Sequence, residues 1–168
     1  ALPFIEVVSK SGHITRHSCW LTTHGCVCPY EYGTKEQRKK PWPPNPFPRW
    51  LDELTQIVES QGSIPNGYFN SYNGNKYVLP NHALYWHKDD DKVFRESEFK
   101  RDVLIVSMSC GAGRPFQIRK SFAESYEEVS LNDGDLLTME GRFQDLYQHR
   151  LCPATPGTSA SSSSSTNG

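Results

Sequence analysis

In Tyr85-Trp86-His87-Lys88-Asp89 an imidazole and a carboxylate stand two residues apart. On a β-strand that spacing aims both side chains at the same face, so two ligands of one metal would be preset. A second histidine, His149, follows roughly sixty residues later in Leu146-Tyr147-Gln148-His149. Two histidines and one carboxylate from two strands make the facial triad of non-haem iron(II) oxygenases, which leaves positions open for substrate and oxygen. Asp90 and Asp91 extend the acidic run. The run reads equally as a solvated loop, and Asp91, sharing the strand face of Asp89, is a competing ligand.

The elements that must position these groups are short. The stretches 68–78, 83–88, 103–109, 115–119, 135–139 and 145–151 are strand-like runs separated by Gly and Asp turns, the pattern of an antiparallel sandwich or jelly roll. Between Pro48 and Ser60 the apolar residues Trp50, Leu51, Leu54, Ile57 and Val58 recur at helical spacing, with Gly62 placed to stop the helix. Residues 1–40 read as strands and loops. Pro41-Trp42-Pro43-Pro44-Asn45-Pro46 reads as a rigid connection, because proline has no amide donor for a central strand. From Ser159 to Gly168 the chain is mostly serine and is expected as a loop or tail.

The 168 residues suit one domain. A net charge of −1 excludes global attraction to a polyanion, so nucleic-acid binding would need a local patch such as Lys35, Arg38, Lys39 and Lys40, which also reads as a solvated loop. Five cysteines, Cys19, Cys26, Cys28, Cys110 and Cys152, show no disulfide framework and point to a reducing, intracellular home, nucleus or cytoplasm left open. A zinc site from Cys19, His24, Cys26 and Cys28 is a weaker alternative, since Cys-x-Cys lacks the usual gap. No apolar run reaches the roughly 18 residues of a membrane span.

From about Gly12 to Pro153 the chain resembles the AlkB family of iron(II)/2-oxoglutarate-dependent nucleic-acid dealkylases. Asn75-Lys76-Tyr77 is similar to that family's Asn-x-Tyr strand, whose side chains help hold 2-oxoglutarate. Ile105 to Gly111 with Arg114-Pro115-Phe116, Asp133-Gly134-Asp135-Leu136, and Tyr147-Gln148-His149 resemble its later strands and turns. Upstream, Trp20 to His24, Tyr30-Glu31-Tyr32 and Lys40 to Pro43 resemble the lid that precedes the barrel.

The resemblance implies a mainly β fold, a double-stranded β-helix (jelly roll) with an α/β N-terminal extension, ending before its last strand. It divides residues 1–158 into a lid and connection (1–45), a helix (46–62) and a core (67–153). It implies Fe(II) on His87, Asp89 and His149, 2-oxoglutarate held by Asn75 and Tyr77, and O2 as oxidant. The substrate would be an N-alkylated base of the 1-methyladenine or 3-methylcytosine type in nucleic acid, stacked by Trp20, Tyr30 and Tyr32 and read by Asp91, with aldehyde and succinate as products. Ordinary core packing is the alternative for the aromatics. The protein is expected to act as a monomer with no membrane partner.

One departure stands out. The family's arginine clamp for 2-oxoglutarate falls beyond the second histidine, in a segment absent before Gly168, and Arg150 points away from His149 on a strand. A truncated chain is therefore expected, with a protein or small-molecule hydroxylase, or an impaired nucleic-acid-binding module, as alternatives.

Overall fold

The computed structural model describes residues 1–9, 11–31, 41–89 and 104–154. Tyr32, the basic run 35–40, Asp90, Asp91 and the serine tract lie outside them. The chain divides into two compact units, whose boundary falls between Lys76 and Tyr77.

In the first unit, β1 (Ile5–Val8), β2 (Ile14–Thr22), β3 (Asn45–Pro46) and β4 (Ser71–Lys76) form one sheet centred on β2. The long β2 pairs antiparallel with β1 and β4 and, at its end, parallel with the two residues of β3. Proline is tolerated in β3 because it is a short edge pairing that asks little of the missing amide. Cys19, Leu21 and Leu51 are the buried centre of this unit, with Leu2, Phe4, Phe47, Leu54 and Tyr72 packed around them. Cys19 lies across from Gly74. A Cβ at Gly74 would come within 2.7 Å of the Cys19 sulfur, so glycine there lets the thiol fill the core.

The expected helix is α1 (Arg49–Gln61). Its covered stripe is narrower than the apolar pattern: Leu51 is buried and Leu54 packs against the core, while Trp50 and Ile57 are about half exposed at 50% and 53%. Glu59, read as polar surface by type, is buried instead, its carboxylate accepting the Gly67 and Phe69 amides at 2.9 and 3.0 Å. Two charge-assisted bonds offset the desolvation of the group and pin the loop after the helix.

Gly62 ends α1, though with φ −81° rather than in the left-handed conformation expected of a stop glycine. Ser63 takes the positive φ, 53°, and the amides of Ser63 and Ile64 return to the Ser60 and Glu59 carbonyls. This is a Schellman ending displaced by one residue. Glycine is needed at 62 for space, since a Cβ would meet the Ile64 side chain at 2.9 Å.

The second unit is built from short antiparallel strands in two sheets. One runs β5 (Leu84–His87), β10 (Tyr147–Leu151), β7 (Arg114–Lys120), β8 (Glu127–Leu131); the other pairs β6 (Ile105–Met108) with β9 (Leu136–Met139). The strand β8 escaped the sequence reading. Glu127-Glu128-Val129-Ser130-Leu131 is exposed except at Leu131, so it lacks the apolar alternation that betrays a half-buried strand.

The turn Asn132 to Asp135 carries the chain from one sheet to the other. Gly134 holds φ +84°, the Asp135 carboxylate accepts the Asn132 amide at 2.7 Å, and the Asp133 carboxylate accepts that of Gly111. The last strand, β10, inserts between β5 and β7. That crossover brings distant parts of the sequence side by side.

Candidate metal centre

The two histidines face one another because of the β10 insertion: His149 is the register partner of His87 on one side and of Ile118 on the other. Their ring centroids are 4.1 Å apart. Asp89 completes the group, with one carboxylate oxygen 3.5 Å from His87 Nε2 and the other 3.4 Å from His149 Nε2. Among the described residues, these three are the group of His, Cys, Asp and Glu side chains that gathers closely enough to hold a metal, all ligand atoms lying within 4.8 Å of one another.

The geometry fits a metal ion. Donors bonded to one first-row ion at about 2.1 Å and set near right angles lie about 3 Å apart, slightly closer than the contacts here. His87 Nδ1 donates to the Tyr85 carbonyl at 2.7 Å, which fixes the ring with Nε2 turned toward Asp89. His149 is buried, flanked by the Phe116 ring at 5.4 Å and the Phe143 ring at 6.0 Å. Its Nδ1 has no hydrogen-bond partner among the described residues.

Charge follows from the same packing. Burial disfavours the ionised form of Asp89, but its contacts with His149 and His87 outweigh that and hold the carboxyl well below the usual carboxylate range. Burial pushes the His149 imidazole down, and the neighbouring His87 acts in the same direction against the pull of Asp89. Ionised carboxylate and neutral imidazole are the protonation states a metal requires.

Asp89 differs from expectation in one respect. The strand β5 ends at His87, so Asp89 lies beyond the ladder rather than within it. Its backbone amide is instead held by Gln144 Oε1 at 2.9 Å, from the short helix α2 (Phe143–Leu146), and Lys88 Nζ donates to the Asp145 carbonyl of that helix at 2.5 Å. Nothing in the sequence marks Gln144, because a side-chain bond to a backbone amide more than fifty residues away leaves no periodicity or spacing.

The other expected site residues are placed as follows. Trp20 and Tyr30 are buried, 3% and 4% exposed, and stacked on each other with centroids 4.8 Å apart. The Trp20 indole donates to the Cys28 carbonyl at 2.8 Å, and Tyr30 bridges to Trp42 through its backbone. At that separation no third ring fits between them. Asn75, in the first unit, accepts from Arg16 Nε and Ser18 Oγ at 2.8 and 2.6 Å. Tyr77, in the second unit, lies under the Arg114 guanidinium, 5.4 Å from its ring centroid. Tyr32 and Asp91 are outside the described residues.

Arg150 does point away from His149. Its guanidinium lies 4.6 Å from the Trp86 ring, that of Arg119 4.2 Å from the same ring, on the opposite face of the sheet. Gln117 accepts from Arg150, and Gln148 from Arg119. All five cysteines are free thiols, and Cys19 is committed to the core.

This site and fold agree with known proteins. The sequence model of the 2OG-Fe(II) oxygenase superfamily matches residues 6–168. The chain belongs to that superfamily. Within it the chain is AlkB-like: it is 31% identical over 116 residues to the alpha-ketoglutarate-dependent dioxygenase alkB homolog 3 of Bos taurus and to that of Homo sapiens. The match takes in 63% of this chain and 38% of each relative, so the chain spans well under half the length of the curated relatives it matches. A solved structure of OsALKBH1 superposes with a TM-score of 0.64 over 93% of this chain and 74% of that one, at 19% identity, a likeness of fold. Fe(II), 2-oxoglutarate and O2 are the cofactor and co-substrates that go with this superfamily. Among the described residues no helix is long and apolar enough to cross a membrane.

Proposed function

We propose that this chain is the catalytic domain of an oxidative dealkylase of nucleic-acid bases, with His87, Asp89 and His149 holding Fe(II). The observation that carries the reading is the convergence of those three groups, whose ligand atoms lie within 4.8 Å of one another. The likeness to alkB homolog 3 supports a nucleic-acid substrate.

When bound, the ferrous ion with 2-oxoglutarate and O2 would supply the oxidation that hydroxylates the N-alkyl carbon, with aldehyde, succinate, carbon dioxide and the repaired base as the products. The protein's part is geometric and electrostatic. His87 and His149 would present ring nitrogens to the ion, one ring oriented by the Tyr85 carbonyl and the other packed by the Phe116 and Phe143 rings. Asp89 supplies the negative charge. Asn75 and Tyr77 are the proposed 2-oxoglutarate contacts. Trp20, Tyr30, Tyr32 and Asp91 are the proposed substrate contacts, and the first two must part before a base can enter between them.

A protein or small-molecule substrate is the second reading. The mutual stacking of Trp20 and Tyr30 favours it, because such a substrate needs no aromatic sandwich. Formaldehyde release is to be measured from single-stranded DNA and RNA carrying 1-methyladenine or 3-methylcytosine, and from methylated peptides, with Fe(II) and 2-oxoglutarate supplied. Release from the oligonucleotides, lost in Asp89→Ala, is expected. Release from peptides alone would overturn the nucleic-acid reading.

A further inference from the structure

The carboxylate ligand of the candidate centre stands outside the sheet that fixes the two histidines. His87 and His149 are locked by register, while β5 stops two residues short of Asp89. What holds the 88–89 segment in its place is α2. Gln144 Oε1 accepts the Asp89 amide at 2.9 Å, Lys88 Nζ donates to the Asp145 carbonyl at 2.5 Å, and Gln144 Nε2 is itself steadied by the Met139 sulfur at 3.5 Å. The bracket is joined to the second histidine by sequence, since α2 runs directly into β10. Phe143 of the same helix also stacks on Tyr147.

We propose that Gln144 is a positioning residue for the metal site, acting through the Asp89 backbone, with Lys88 as a second tether. An amide side chain suits the role. Its oxygen accepts the peptide N–H without adding a second negative charge beside Asp89, and its nitrogen binds a soft sulfur. An error in the Asp89 backbone is passed directly to the carboxylate, because a short side chain has little freedom to compensate. Groups that orient a metal ligand from behind are typically worth about 10–100-fold in metal affinity.

The inference rests on the assignment of His87, Asp89 and His149 as metal ligands, and the test separates the two. Mn(II) binding is titrated by calorimetry, and the electron paramagnetic resonance spectrum of bound Mn(II) is recorded, for the full chain, Gln144→Met, Lys88→Met and His149→Ala. Methionine matches glutamine in length and is one atom shorter than lysine, keeping most of the stem while removing the hydrogen bond in each case. The expected result is roughly tenfold weaker Mn(II) binding in Gln144→Met, a smaller loss in Lys88→Met, a broadened Mn(II) spectrum in both, and no binding in His149→Ala. Affinity within twofold of the parent together with an unaltered spectrum in a folded Gln144→Met protein overturns the role of Gln144. If Gln144→Met does not fold, parental affinity and spectrum in Lys88→Met overturn the bracket. Unchanged binding in His149→Ala instead refutes the metal assignment itself.

Discussion

His149 stands directly across from His87 in the antiparallel pairing of β10 with β5. Residues facing each other across such a pair project to the same side of the sheet, so the imidazoles meet by register and not by any special contact. Ile118 occupies the corresponding position on the other neighbour, β7. The site is therefore tied to strand order, and a register slip of one residue would turn His149 to the opposite face.

His87→Ala, Asp89→Ala and His149→Ala are each expected to abolish stoichiometric Fe(II) or Mn(II) binding while leaving the far-ultraviolet circular dichroism of the sheet intact. Calorimetry checks this. Parental affinity in all three would refute the site.

The pH dependence of apo stability follows from His149 and Asp89. The folded imidazole of His149 is pushed down by burial, so below about 6.5 the unfolded chain takes up a proton the native state refuses. Stability is lost as pH falls through that range. The folded carboxyl of Asp89 is also lowered, the net result of its histidine contacts exceeding burial, so its contribution persists above the unfolded value and is lost only in stronger acid. Urea midpoints are expected to drop from about pH 7.5 to about pH 5, and His149→Gln is expected to flatten that drop. A midpoint that rises on acidification contradicts the assignment.

Trp20→Ala is expected to destabilise the protein by about 3–5 kcal/mol, since it removes a buried indole stacked on Tyr30. Trp20→Phe keeps an aromatic face against Tyr30 but loses the bond to the Cys28 carbonyl and part of the buried ring volume, a smaller cost of about 1–3 kcal/mol. Chemical denaturation measures both. Near-neutral stability in Trp20→Ala would show that the ring is free for a ligand.

Glu59→Ala strips the partners from the Gly67 and Phe69 amides. A loss of about 2–4 kcal/mol is expected, with faster hydrogen exchange at those two amides and little change at β10. Uniform exchange across the chain would show that the effect is not local.

Trp86→Ala removes the ring that two guanidiniums share. The expected cost exceeds that of either Arg119→Ala or Arg150→Ala, and the coupling of each guanidinium to the ring is read from a double-mutant cycle, as the departure of the double variant from the sum of the two single ones.

Much of the second unit was legible from short apolar runs and turn residues. The runs at 83–88, 115–119, 135–139 and 145–151 correspond to β5, β7, β9 and β10 within a residue or two. Legibility failed at Glu127–Leu131, where neither face is deeply buried and the pattern vanishes. It failed at α1 in a different way. Periodicity identified the helix but assigned Trp50 and Ile57 to a stripe that packing leaves half exposed, and assigned Glu59 no buried role. Neighbouring elements decide how wide a covered stripe is.

The amino-acid sequence by itself pointed to the candidate ligands, His-x-Asp and a distant histidine, through the resemblance to a known family, because that spacing alone turns up by chance in many chains. It also determined the family and the turn chemistry at Asn132 to Asp135. Only the tertiary structure decided that β10 enters between β5 and β7, that Asp89 is steered by Gln144 beyond the strand's end, and that Trp20 and Tyr30 lie against each other. Each of these depends on contacts between segments far apart in the chain. Local propensity carries no information about which distant partner a strand edge, a backbone amide or an aromatic face will meet.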